Sequence, residues 1–231
     1  MLVRHAKAEA DAGDGDHERE LTPRGHRDAR AAGVWLSEQG IGVDEVLCST
    51  AARAQQTCED MWSAGCSEAD VHHDHRIYNA APERLLTLVR EADSDANVVM
   101  VVGHAPGIPA LASMLADGEG SERAHDLMSQ GFPTAGVAVL RFSGHWGDLA
   151  IGVPRLDRFH VARGHAERRP HAADGRRTEV VVTESGRHEV FALLAPMFTG
   201  LAEIDAPLTA DERALVERYL RGAIAAMRSV T

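Results

Sequence analysis

The chain has 231 residues, of which 44% are hydrophobic and 26% are charged, a balance typical of a globular protein with a sizeable core. Its formal net charge is −11, and residues 1–163 account for most of it, with 15 basic against 25 acidic side chains. Such a charge makes residues 1–163 a poor general binder of nucleic acid and other polyanions, so a local arginine cluster must hold any anion that binds there. The sequence has no run near the roughly 20 apolar residues that a membrane span needs.

The three cysteines, Cys48, Cys58 and Cys66, form an odd set without the spacing of a metal site. The chain also begins without the pattern of a secretory leader. Thiols of this kind are typical of a reducing compartment, so we expect a cytoplasmic protein whose cysteines are small, buried or partly exposed residues.

Short apolar runs alternate with helical patterns over the first 140 residues or so. Thr22 followed by Pro23 is a favourable helix start. The predicted strands lie at 2–3, 43–48, 98–102 and 135–142, and the predicted helices at 22–39, 51–61, 82–92 and from about 106. This alternation predicts an α/β fold with a mainly parallel sheet flanked by helices. Such sheets bind ligands at the carboxyl ends of their strands.

Basic and imidazole side chains follow several of these strands. Arg4 and His5 come directly after the first strand, Arg53 follows the second, and His104 follows the strand at 98–102. Arg19 lies in the first long loop. Paired guanidinium groups bind phosphoryl oxygens bidentately, and an imidazole can act as a nucleophile. The set therefore predicts a phosphoryl-binding site.

The motifs around these residues resemble those of the histidine phosphatase superfamily. Arg4-His5-Ala6 is similar to its Arg-His-Gly signature, and residues 49–57 and 102–106 resemble its second-arginine and second-histidine motifs in the same order. Within that superfamily, residues 1–163 look most like the SixA-type phosphohistidine phosphatases. The points of similarity are Arg-His-Ala-Lys-Ala-Glu at 4–9, Arg-Glu-Leu-Thr-Pro-Arg-Gly at 19–25, and Cys-Ser-Thr-Ala-Ala-Arg-Ala-Gln-Gln-Thr at 48–57.

The resemblance implies a phosphoglycerate-mutase-like fold and hydrolysis of phosphohistidine on a partner protein, with neither a metal nor a cofactor. His5 would attack phosphorus and carry the phosphoryl group as an intermediate. Arg4, Arg53 and His104 would surround that group, and Arg19 matches an additional pocket arginine of this type.

A phosphatase for a small phosphate ester is the alternative. Relatives that act on poor leaving groups carry an acidic proton donor, and Glu83 is the nearest candidate in this chain. Its simpler explanation is an acidic residue in the first turn of a helix. Imidazole leaves more readily than an alkoxide, so phosphohistidine needs less acid catalysis. The missing donor therefore favours phosphohistidine as the substrate.

The stretch His72-His73-Asp74-His75 invites a metal-binding interpretation. Adjacent side chains diverge along an extended chain, and closed zinc sites use other spacings. We therefore expect a solvated loop there.

The composition changes after about residue 153, and we place a domain boundary near residue 160. Residues 161–177 are predicted to form a linker and hairpin, and residues 178–231 a strand followed by two helices. The last helix begins at Thr209, where Glu212 completes a capping box. The result is a small α+β appendage.

Residues 165–231 resemble the wing and dimerisation helices of MarR-type regulators. The resemblance implies a homodimer through helices at 185–229. Those regulators read DNA with a helix-turn-helix before the wing, and the sequence leaves no room for one, so DNA binding is not expected. Arg176 and Arg177 could still contact a phosphate backbone. A DNA-binding regulator with a sensory or relic phosphatase domain is therefore the non-enzyme alternative.

Overall fold

The structure, a computed structural model, describes residues 1–10, 13, 15–65, 69–163, 166–171 and 174–182, and farther along 199–200, 209, 212, 215–216 and 218–219. Its strands are β1 (Leu2–Arg4), β2 (Glu45–Ser49), β3 (Asp70–Asp74), β4 (Val99–Gly103), β5 (Gly136–Arg141), β6 (Arg155–Val161), β7 (Ala166–His171) and β8 (Asp174–Val182). Its helices are α1 (Pro23–Glu38), α2 (Ala52–Ser63), α3 (Pro82–Arg90), α4 (Gly107–Leu115) and α5 (Glu122–Ser129).

Strands β1 to β6 form one sheet in the order β3-β2-β4-β1-β5-β6. The pairs β1–β4, β2–β3 and β2–β4 are parallel, whereas β5 runs antiparallel to β1 and β6 antiparallel to β5. This architecture confirms the predicted α/β fold with a mainly parallel sheet. Strands β7 and β8 form a separate antiparallel pair.

Alternate residues of the central strands supply two hydrophobic cores, one on each face of the sheet. Leu2, Val99 and Val101 pack in one core with the apolar side chains of α3 and α4. Val3 and Met100 pack in the other with those of α1 and α2. Because both faces are covered by helices, these strands are apolar at nearly every position, which is why they were recognisable in the sequence.

Helix α1 begins as its sequence predicts. The Thr22 hydroxyl accepts a hydrogen bond from the Gly25 N–H at 2.9 Å, and Pro23 occupies the first helical position. The helix ends at Glu38, one residue before the predicted end. Helices α2 and α3 also lie within about a turn of their predicted limits.

One prediction for the polar parts of the chain was wrong, and one edge strand was not predicted. The segment expected to be a solvated loop at His72–His75 lies mostly in β3, an exposed edge strand paired only with β2 on its inner side. Strand β6 was not predicted at all, although it closes the opposite edge of the sheet. Edge strands carry polar residues on their exposed sides, so both lack the apolar signature of a strand.

The structure describes only part of the C-terminal tail, residues 161–231. Strand β8 begins at Asp174, earlier than the predicted run at 178–183, and pairs with β7, which lies in the predicted hairpin region. The Thr209 hydroxyl accepts the Glu212 N–H at 3.4 Å, and Glu212 accepts the Thr209 N–H at 2.8 Å, so the predicted capping box is present. Most of the two predicted helices, and the dimer contact expected through 185–229, lie outside the described residues.

Within the described part of the chain, no helix has the length and apolar character required to cross a membrane.

Candidate active site

The sheet order brings the predicted site residues to one place. Strands β2, β4 and β1 are neighbours, and Arg4 lies in register with Gly103. Directly beyond these strand ends come His5 and His104, whose ring centroids lie 5.1 Å apart. The His5 N–H donates to the Gly103 carbonyl at 3.0 Å, so a backbone hydrogen bond fixes the start of this loop.

The hydrogen bonds of His5 define its tautomer. Its Nδ1 lies 2.7 Å from the Ala6 carbonyl oxygen, which can only accept, so Nδ1 carries the proton. Its Nε2 accepts a hydrogen bond from Nε of Arg53 at 3.3 Å. Nε2 is therefore unprotonated and lies beside the guanidinium group, and the ring has the tautomer required of an Nε2 nucleophile.

Burial, together with the charges of Arg53, Arg4 and Arg19, lowers the pKa of His5 to about 4, against the opposing effect of the Ala6 hydrogen bond. Three arginines therefore act on one imidazole. At neutral pH the ring is uncharged, so Nε2 carries no proton.

We expect ¹H–¹⁵N correlation spectra to show His5 as the neutral Nδ1–H tautomer from pH 8 down to about pH 5. Below that, protonation of Nε2 should remove the nucleophile and kcat/KM should fall. Unfolded histidine takes up its proton near pH 6.5. The protein should therefore lose stability as the pH falls from about 6.5 to 4. A His5 ring that titrates near 6.5 would contradict this environment.

Thr57 couples the nucleophile loop to helix α2, which carries Arg53 in its first turn. The buried Thr57 hydroxyl accepts the Ala6 N–H at 3.0 Å and donates to the Arg53 carbonyl at 2.6 Å. A short, fully buried linkage therefore fixes the spacing between His5 and Arg53. Thr57 lies within the second-arginine motif, and this contact gives that residue a structural function.

His104 is buried beside Ser49, the last residue of β2. Its Nε2 lies 2.8 Å from the Ser49 hydroxyl, while its Nδ1 is buried and has no partner among the described residues. Burial, followed by the charges of His5 and Arg53, lowers the pKa of His104 to about 3. His104 is therefore also a neutral imidazole, and one of its ring nitrogens has no hydrogen-bond partner among the described residues.

Arg4 is anchored by its Nη1, which donates to the Phe132 carbonyl at 2.8 Å. Its Nε is buried without a partner among the described residues. Buried polar atoms are nearly always hydrogen-bonded, so such an atom calls for an explanation. Four buried side-chain atoms in the described part of the chain lack a hydrogen-bond partner, and two of them belong to Arg4, the neighbour of His5 in the chain, and to His104, whose ring centroid lies 5.1 Å from that of His5.

Sequence reasoning missed two residues of the site, Asp16 and Tyr78. The Asp16 carboxylate accepts hydrogen bonds from Arg53 at 2.8 Å and from Arg19 at 2.6 Å. It also accepts the Tyr78 hydroxyl at 2.7 Å. The Tyr78 ring packs edge-on against His104, with centroids 5.4 Å apart. The Asp-x-x-Arg spacing of Asp16 and Arg19 was the available signal for the first residue.

The family profile of the histidine phosphatase superfamily (branch 1) matches residues 1–79. The solved structure of the candidate phosphohistidine phosphatase SixA from Nakamurella multipartitia is 36% identical, with a TM-score of 0.62 over 70% of this chain and 95% of that chain. The chain belongs to the histidine phosphatase superfamily.

Other relatives cover the same part of this histidine phosphatase. An uncharacterised protein of Mycobacterium tuberculosis is 42% identical over 162 residues, which are 70% of this chain and 100% of that protein. The candidate phosphohistidine phosphatase SixA from Agrobacterium tumefaciens is 32% identical, with a TM-score of 0.55 over 69% of this chain and 95% of that chain.

The structure also locates three further sets of residues that the sequence singles out in this histidine phosphatase. Glu83, the candidate proton donor, is exposed in the first turn of α3, as its simpler explanation predicts. His72 lies 3.8 Å from Glu45, but the described residues contain no group of three or more side chains placed to hold a metal ion. Cys48 and Cys58 are buried and free, as expected, and Cys66 lies outside the described residues.

Proposed function

We propose that this chain is a metal-independent phosphatase that hydrolyses phosphohistidine on a partner protein. In the first step, the lone pair of His5 Nε2 attacks phosphorus. The bond from phosphorus to the substrate imidazole breaks, and its electron pair stays with that imidazole, which leaves with a proton taken from solvent. The phosphoryl group is then carried on Nε2 of His5.

In the second step, water attacks phosphorus and the bond to Nε2 breaks. Its electron pair returns to His5, and the proton of the water passes to solvent or to the phosphate. Because Nδ1 keeps its proton, held by the Ala6 carbonyl at 2.7 Å, the phosphorylated ring carries positive charge and is a good leaving group. The hydrogen bond from Nδ1 of His5 to the Ala6 carbonyl therefore favours both the attack of Nε2 on the substrate and the hydrolysis of the phosphorylated intermediate.

The observation that carries the proposal is the set of donors around Nε2. Arg53, Arg4 and Arg19 all act electrostatically on His5. Two buried nitrogens without a hydrogen-bond partner belong to Arg4, which precedes His5 in the chain, and to His104, whose ring centroid lies 5.1 Å from that of His5. Phosphoryl transfer needs positioned donors and positive charge more than it needs covalent chemistry. We assign the two unpartnered nitrogens to phosphoryl oxygens of the substrate.

The substrate class rests on the chemistry of the leaving group. Glu83 is exposed on α3 and makes no hydrogen bond to the described residues around His5 that would position it as an acid. An alkoxide leaving group needs such an acid, whereas an imidazole does not. We therefore favour phosphohistidine over a small phosphate ester. The candidate SixA proteins named above are described as phosphohistidine phosphatases, which supports the same choice.

The test compares phosphate release from phosphohistidine and from p-nitrophenyl phosphate by the full chain, with and without EDTA. We expect a higher kcat/KM on phosphohistidine and no effect of EDTA. A preference for the ester would transfer the assignment to a small-molecule phosphatase. Loss of activity in EDTA would contradict the metal-independent mechanism.

The cytoplasmic location and the MarR-like tail stay predictions of the sequence. In this proposal, the tail pairs two copies of the chain and takes no part in the chemistry. Retention of the chain on duplex DNA, lost in the Arg176→Ala/Arg177→Ala variant, would favour the regulator alternative instead.

A further inference from the structure

The Asp16 carboxylate accepts hydrogen bonds from two arginines of the site, Arg53 and Arg19. Asp16 begins a 3₁₀ turn, Asp16–Glu18, between β1 and α1. Its Oδ2 accepts from Arg53 and Tyr78, its Oδ1 accepts from Arg19, and its backbone carbonyl accepts from Nη1 of Arg53. Three segments of the chain therefore meet at one carboxylate.

These contacts fix the orientation of the Arg53 guanidinium. Asp16 holds the two terminal nitrogens, Nη1 and Nη2, and the remaining nitrogen, Nε, donates to Nε2 of His5. A planar guanidinium held at both terminal nitrogens has no freedom to rotate. Asp16 therefore acts on the nucleophile through Arg53.

The same carboxylate also supplies a negative charge that balances the positive charge of the buried Arg53 guanidinium. The Arg53 side chain is only 4% exposed, and a buried cation without a counter-ion is costly. The Asp16 side chain is 44% exposed, so it lies towards the mouth of the site. Hydrogen bonds from Tyr78 and the two arginines hold the pKa of Asp16 well below its usual range. Its charge is therefore present at every pH at which the enzyme would work.

We propose that Asp16 is a positioning residue for Arg53 and an internal counter-anion that shares Arg53 and Arg19 with the phosphoryl group. A phosphate dianion entering the site meets this negative charge, which lowers its affinity and favours release of the product. The inference rests on the proposed function, because it assigns the phosphoryl group to the same arginines.

Two substitutions separate the charge from the geometry. In Asp16→Asn, the amide oxygen can take the place of Oδ2 and keep the contacts to Arg53 and Tyr78, while the negative charge is lost. Asp16→Ala removes the side-chain contacts altogether. Glu18→Gln is the matched control, because it removes the same charge from the same turn, where Glu18 pairs with His17 at 2.8 Å instead of with an arginine.

The measurement is calorimetric titration of inorganic phosphate into the full-length wild type and the three variants, at fixed pH and ionic strength. We expect Asp16→Asn to bind phosphate about tenfold more tightly than wild type. Glu18→Gln should stay within about twofold, as removal of an exposed charge predicts. In turnover of p-nitrophenyl phosphate, Asp16→Asn should lower KM and Asp16→Ala should lower kcat.

The outcomes distinguish the inference from the function on which it rests. Equal or weaker phosphate binding by Asp16→Asn, with the far-UV circular dichroism of wild type, would overturn the counter-anion and leave the phosphatase intact. A kcat for Asp16→Ala equal to that of Asp16→Asn would overturn the positioning role. Absence of phosphate binding in wild type and all variants would overturn both the inference and the assignment of a phosphoryl-binding site around His5.

Discussion

His5→Ala should lower kcat/KM for phosphohistidine by at least about 10⁴-fold. The substitution removes the only atom that the structure prepares for attack, Nε2, and no water can form the covalent intermediate in its place. The remaining donors would still bind the substrate, so KM should change far less than kcat. Phosphate release under single-turnover conditions measures the effect.

The matched control for this variant is His125→Ala. His125 lies on α5 and is partly exposed, and its side-chain Nε2 lies 3.0 Å from the Glu119 carbonyl oxygen. It should keep wild-type activity. A His5→Ala protein that retains more than about one hundredth of wild-type turnover would reject His5 as the nucleophile.

Arg53→Ala should lower kcat/KM by about 10³-fold, a loss typical of an arginine that stabilises phosphoryl transfer. Arg53→Lys should recover little of it. The guanidinium bonds to His5 through Nε while its other nitrogens reach Asp16, and a lysine ammonium cannot span both from a position that is 4% exposed. Steady-state kinetics on both variants give the comparison.

Arg76→Ala serves as the control for charge removal. Arg76 pairs with Asp74 and Glu91 on the surface, and its side chain is 39% exposed. We expect its activity to match wild type. An Arg53→Lys enzyme as active as wild type would show that catalysis depends only on the positive charge at residue 53. The geometry of the guanidinium fork would then not matter.

The sequence was most informative where each strand is buried on both faces. Strands β2 and β4 are buried throughout and mostly apolar, so their ends, and hence the position of His104, could be predicted to within a residue or two. Their order in the sheet could not be predicted, because strand pairing depends on contacts far apart in the chain. It is that order, β2-β4-β1, that brings the predicted residues together.

The errors and omissions share a physical cause. Strands β3 and β6 lie at the sheet edges, where exposed polar side chains conceal the period of a strand. Asp16 lies in a loop, whose course no periodicity reveals, and Tyr78 follows the 3₁₀ turn after β3. The contact of such a loop residue with the site is therefore established by the structure, in which the loop is folded against the arginines.

The central claim, that Nε2 of His5 carries the phosphoryl group, is tested most directly by trapping the intermediate. The wild-type chain would be mixed with excess phosphohistidine, quenched rapidly in alkali, digested and analysed by mass spectrometry. We predict one phosphoryl group on the peptide that contains His5, stable in alkali, lost in acid, and absent from the His5→Ala protein. A phosphoryl group found on His104, or turnover without any phosphorylated histidine, would contradict the mechanism.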